Sequence, residues 1–149
     1  MEKTDKSIKY YKLPIEFEKL TEKAEHQKCN LRESIAQYIH LIATSYLGEC
    51  KFDATFGCSI WEYDFDNSMT ENTLRDNLIS SLTQAINNNE KRLRNIEVAV
   101  RISQMELETV MKAIRIKKKI DIDITAKIAK TNEPYKYYEY FFLGPLSYN

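Results

Sequence analysis

Glu90-Lys91-Arg92-Leu93-Arg94-Asn95-Ile96-Glu97-Val98-Ala99-Val100-Arg101-Ile102 is the stretch on which the fold turns. Upstream of it apolar residues keep a helical spacing; from residue 94 they keep a spacing of two. Ile96, Val98, Val100 and Ile102 alternate with Glu97, Ala99 and Arg101. That alternation describes a strand with one buried and one wet face. Behind it, Leu74, Leu78, Leu82 and Ile86 recur every four residues, with Ile79 and Ala85 widening the stripe. This predicts a helix over about 70–90. Ser68 and Glu71 have capping-box spacing at its start, and Asn87, Asn88 and Asn89 weaken its end.

Downstream, Ile114, Ile116, Ile120, Ile122, Ile124 and Ile128 share one parity. Lys117, Lys119, Asp121, Asp123 and Lys127 hold the other. The segment TNEP at 131–134 is a turn, and YKYYEYFFL at 135–143 returns antiparallel. Residues 103–113 suit a loop, a short helix or an early strand. Further upstream, Leu31, Ile35, Ile39, Ile42 and Tyr46 mark one face of a helix. Asn30 and Glu33 are spaced for a capping box, and Gly48 fits the left-handed position past its end. Residues 49–69 form an irregular connection too aromatic for a solvated loop. Residues 1–30, with dense charge and Pro14, read as an arm on a single domain over 31–149. The expected architecture is α+β: two amphipathic helices packed on a small antiparallel sheet of about three strands.

Composition narrows the function. Of 149 residues, 22 are basic and 22 acidic, so no basic excess points to nucleic acid. The chain lacks an apolar run long enough for a membrane, and its charged start, MEKTDKSIKYYK, is unlike a secretory signal. Cys29, Cys50 and Cys58 are odd in number and without CxxC spacing, which suits reduced thiols in a cytoplasm.

Catalytic patterns are scarce. The three glycines build no phosphate loop, and no His/Cys spacing suggests a metal. His40 reads as a helix-surface or partly packed histidine. Cys58 reads as a small buried thiol, although a nucleophile with His40 as its base is the sharper alternative. The run Glu62-Tyr63-Asp64-Phe65-Asp66 reads as an acidic loop, against a glycosidase pair. Lys112, Arg115, Lys117, Lys118 and Lys119 form the strongest nucleic-acid hint, set against a solvated sheet face or a charged protein contact. No cofactor is expected.

The last strand carries more. Tyr135, Tyr137, Tyr138, Tyr140, Phe141 and Phe142 populate both its faces. Either both faces are covered, or one is an interface; an edge strand would also accept a partner's strand.

These motifs resemble the gene-25-like baseplate wedge family of contractile-tailed phages, whose type VI secretion branch is TssE. That family carries Glu-Pro-Arg-Leu at a helix end just before its first strand. Glu90, Arg92 and Leu93 match, and Lys91 replaces the proline. Phe56-Gly57 matches a Phe-Gly ahead of the motif helix, and the hairpin over 120–143 resembles the closing strands. The resemblance covers about 31–143. It implies a cytoplasmic structural part of a type VI secretion or phage-like baseplate that initiates the contractile sheath. Sheath subunits would add strands to the small sheet, and the Glu-x-Arg motif would contact wedge proteins of the TssF and TssG kind. The partner-binding residues expected are therefore Glu90, Arg92, Tyr138, Tyr140 and Phe142. On a regular helix Glu90 and Arg92 would diverge by about 200°. At a frayed end they could splay to different partners, or serve as internal caps and salt bridges. The rival readings are a small regulatory adaptor with the same fold, and a carbohydrate hydrolase that would use Asp64 or Asp66.

Overall fold

The structure, a computed structural model, describes residues 9–22, 24–63, 68–108 and 114–144. Its centre is an antiparallel sheet in the order β3-β4-β5, with β3 at Leu93–Glu108, β4 at Ile114–Ile128 and β5 at Pro134–Leu143. Two helices cover one face, α2 at Leu31–Thr44 and α3 at Glu71–Asn89. Ahead of them the arm folds back as two short strands, β1 (Tyr10–Tyr11) and β2 (Lys28–Cys29), with α1 (Phe17–Thr21) between.

The covered face carries the isoleucine row of β4. Ile120, Ile122, Ile124 and Ile128 are buried with Ile35, Ile39 and Ile42 of α2 and Leu74, Leu78, Leu82 and Ile86 of α3. Each such side chain contributes roughly 1.5–3 kcal/mol on leaving water. The expected α+β sandwich is the observed one.

β3 needs one local device. Its register passes from Arg94↔Lys127 to Glu97↔Thr125, so Asn95 and Ile96 stand opposite Ala126. Asn95 takes φ 51°, a left-handed conformation that asparagine tolerates. Leu93 and Val100 have opposite parity, yet both are buried. Without the extra residue, one would face water.

Several local expectations shift. Asn30 does close a capping box with Glu33, through bonds of 2.9 and 3.1 Å. α2 ends at Thr44, however, and Gly48 serves a later turn at φ 79°. The Thr44 and Ser45 hydroxyls cap the helix instead, each donating 2.7 Å to a carbonyl four residues back. Thr70, not Ser68, is the N-cap of α3, accepting from Thr73 N–H. Residues 103–108 belong to β3; 109–113 lie outside the described residues. The aromatic connection divides: Phe52 is fully exposed, while Phe56, Trp61 and Tyr63 pack against the core. Trp61 donates 2.9 Å to the Ala43 carbonyl and meets Phe141 edge-on.

Gly57 is fixed by space as well as by angle. Its φ is 104°, and a Cβ there would lie 2.5 Å from the Tyr46 carbonyl oxygen. Cys58 N–H bonds Ser45 O at 3.1 Å alongside, so that backbone has no room to retreat. Gly57→Ala is expected to lower stability by roughly 1–3 kcal/mol in urea unfolding. Gly48→Ala, also left-handed but 3.8 Å from its nearest neighbour, should lose less.

Candidate partner-binding surfaces

The first surface is the corner where α3 becomes β3. Glu90 caps the helix, its N–H bonded to Ile86 O at 2.8 Å. Its side chain is only 2% exposed. Arg92 turns back onto it: the backbone N–H and Nε reach Oε1 at 3.0 and 2.8 Å, and Nη2 reaches Oε2 at 2.5 Å. Nη1 donates to Ser34 Oγ of α2 at 2.8 Å, and the guanidinium lies 5.4 Å from the Tyr10 ring centroid. The two charges therefore converge rather than splay. Glu90 is held inside, and Arg92 keeps 30% of its side chain in solvent.

The buried carboxylate is felt nearby. Burial, and then the charge of Glu90, push the Tyr135 phenol up to about 12 and raise that of Tyr38. Arg92 is raised in turn, chiefly by its bond to Glu90. Lys91 sends Nζ 3.0 Å to the Asn87 carbonyl. A cation there satisfies an orphan carbonyl of the last helical turn.

The second surface is β5, which among the described residues pairs only with β4 and so forms one edge of the sheet. Alternation splits its aromatics. Tyr135, Tyr137, Phe141 and Leu143 face the helices; Tyr138, Tyr140 and Phe142 face outward. These three are 52%, 51% and 39% exposed, with ring centroids 6.5 and 5.7 Å apart along the strand. Polar neighbours hold the row. Tyr138 Oη donates to Asp121, which Lys119 meets at 2.8 Å; the Lys119 ammonium lies 4.9 Å over the Tyr140 ring. These bonds, the one from Lys119 foremost and that from Tyr138 next, hold the Asp121 carboxyl below the usual carboxylate range.

Residues 29–133 match the family described as baseplate wedge protein gp25. The chain belongs to that family. Its role is thereby that of a structural protein of a phage-tail-like baseplate, which interacts with other baseplate components. A solved Geobacter sulfurreducens structure, provisionally assigned as a tail lysozyme, is similar at TM-score 0.57 and 22% identity. The likeness covers 83% of this chain and 100% of that one, and shows the fold alone. No curated protein matches the chain.

Within this family member, the Phe-Gly and Glu-x-Arg-Leu motifs sit at structural joints. Gly57 lies against the Ser45–Tyr46 backbone, and Glu90 and Arg92 close the helix-to-strand corner. The sequence did not reveal Tyr10 and Ser34 as partners of Arg92, nor Glu139 as a carboxylate on the inner face of β5. The parity of 135–143 was the available signal for Glu139. His40, half-exposed on α2, is bonded to Glu139. Cys58 is buried, its thiol pushed up to about 11 by desolvation and donating to Ala43 O, the reverse of an activated nucleophile. Asp64, Asp66 and Lys112 lie outside the described residues. Among the described residues no cluster of three or more His, Cys, Asp or Glu could hold a metal ion, and no helix is long and apolar enough to cross a membrane.

Three outcomes follow from this geometry. Arg92→Ala leaves the Glu90 carboxylate buried and unpaired, an expected loss of about 2 kcal/mol after discounting for Arg92's solvent contact. The Glu90→Gln, Arg92→Ala double variant should lose less than the sum of the singles in urea unfolding. For Asp121 the folded value is the lower one, so its contribution is complete above the unfolded value of about 3.9. It is lost as pH falls through the folded value. Asp121→Asn should flatten that acid limb of the urea midpoint below about pH 4.

Proposed function

We propose that this protein is a non-enzymatic part of a type VI secretion baseplate, or of a related contractile device, and that it initiates the sheath. The observation that carries the proposal is β5: a sheet edge with a row of exposed aromatics, in a chain of the baseplate wedge family. Strands from the first sheath subunits would add to this edge. Main-chain hydrogen bonds supply the affinity of such additions, and side-chain contacts supply register. Repetition around a symmetric baseplate would turn a weak single contact into a firm one.

Wedge proteins of the TssF and TssG kind would meet the Glu90–Arg92 corner. There Arg92 keeps 30% of its side chain in solvent, and Glu90 orients it. A groove of about 700 Å³ opens beside Tyr10, with Lys9, Lys28, Arg32 and Lys130 along it, and extends that surface. The work is assembly in the cytoplasm and needs no nucleotide or metal, because contraction would use energy stored in the sheath.

The test is a pull-down from the native cytoplasm with mass-spectrometric identification. Wild type should recover both sheath and wedge proteins. Tyr138→Ser with Tyr140→Ser, on the solvent face, should lose the sheath at least tenfold and keep the wedge. Arg92→Lys, which keeps the charge and loses the fork, should do the reverse. Recovery of one unrelated partner in a one-to-one complex, with neither set present, would replace this reading by that of a regulatory adaptor.

A further inference from the structure

The inner face of β5 carries one charge. Glu139 lies between Tyr137 and Phe141 and stands opposite the buried Ile122 of β4. Its side chain is 17% exposed. Tyr137 Oη donates to Oε2 at 2.5 Å, and the His40 ring is bonded to Oε1. His40 is its one ion-pair contact among the described residues, and that charge exists only when the imidazole is protonated. The carboxylate therefore sits at an open edge without a permanent cation. Beside it, between the arm and α2, a groove of about 570 Å³ is lined by Leu13, Pro14, Gln37, His40, Leu41 and Tyr137.

A strand that adds to β5 places its inner-facing side chains about 4.5–5.5 Å from those of β5. It also strips water from Glu139. A carboxylate that loses water without gaining a cation is penalised, and a second carboxylate opposite it is penalised further. We propose that Glu139 selects the incoming strand by charge, so that the residue set beside it is a lysine or arginine. Apolar residues two positions to either side meet Tyr137, where the groove provides space, and Phe141. The same carboxylate discourages β5 from pairing with a second β5, because a two-fold antiparallel pair centred there sets Glu139 against Glu139.

This inference rests on the strand-addition reading above, and one experiment separates the two. The probes are capped nine-residue peptides of alternating threonine and valine, with lysine, norleucine or glutamate at the central, inner-facing position. Each is titrated into the full chain, and binding is read from hydrogen-exchange protection of the β5 amides. The lysine peptide should bind about three- to fivefold more tightly than the norleucine peptide, the size of a cross-strand charge pair, with glutamate weakest. Glu139→Gln should erase the order, and Glu139→Lys should reverse it; because the peptide series on wild type is itself decisive, poor folding of a variant does not shield the proposal. Protection that ignores the central residue would overturn charge selection and leave strand addition standing. No protection by any peptide would overturn both.

Discussion

The bond between Glu90 and Arg92 sets the geometry on which the other features depend. A carboxylate nearly excluded from water is tolerated because three donors of one residue, the backbone N–H, Nε and Nη2, converge on it. Those donors belong to the third residue after the helix, so satisfying them dictates how the chain leaves α3. Leu93 then enters β3, Ser34 ties the guanidinium to α2, and Tyr10 brings the arm over it. One charge pair thus fixes a helix, a strand, a second helix and the arm in relation to one another. Such a pair is better understood as a device for geometry than for net stability, since its desolvation offsets much of its attraction. What it secures is the way the chain leaves α3 and enters β3.

Where packing on one face decides the outcome, the fold was legible from the residues. The change of period at residue 94 located the helix-to-strand junction, and the isoleucine parity of β4 located the core. The Asn30 cap could be named because its bonds are local. Other features answer to forces the pattern does not record. Ser103, Gln104, Met105 and Glu106 carry no apolar alternation, and they are strand because β4 pairs with them. Phe52 and Trp61 share one aromatic stretch, yet only Trp61 has an N–H with a carbonyl to meet. Glu90 and Arg92 looked divergent under helical geometry. The helix stops at Asn89, and at the turn that follows the two side chains meet. In β5 the aromatic residues drew the reading outward, while the single carboxylate among them faced in.

On the strand-addition proposal, β5 has to bind its partner and refuse other strands, and its two faces would divide those tasks. On the outer face, Tyr138, Tyr140 and Phe142 offer large contact areas with few rotatable bonds. Asp121 and Lys119 already hold two of the rings, so less freedom remains to be lost on binding. Such a surface is adhesive and unselective. Main-chain pairing along the edge is also unselective, since every strand has the same backbone.

Discrimination must then come from side chains that the added strand covers, and on the inner face the only charged one is Glu139. Its position there follows from the alternation that buries Tyr135 and Leu143. A neutral residue at 139 would leave the edge open to any apolar strand, including a second β5. A carboxylate bonded, among the described residues, to Tyr137 and His40 is stable enough to persist in the free protein. It is still short of a full positive partner, so on this proposal it would favour a strand that brings one.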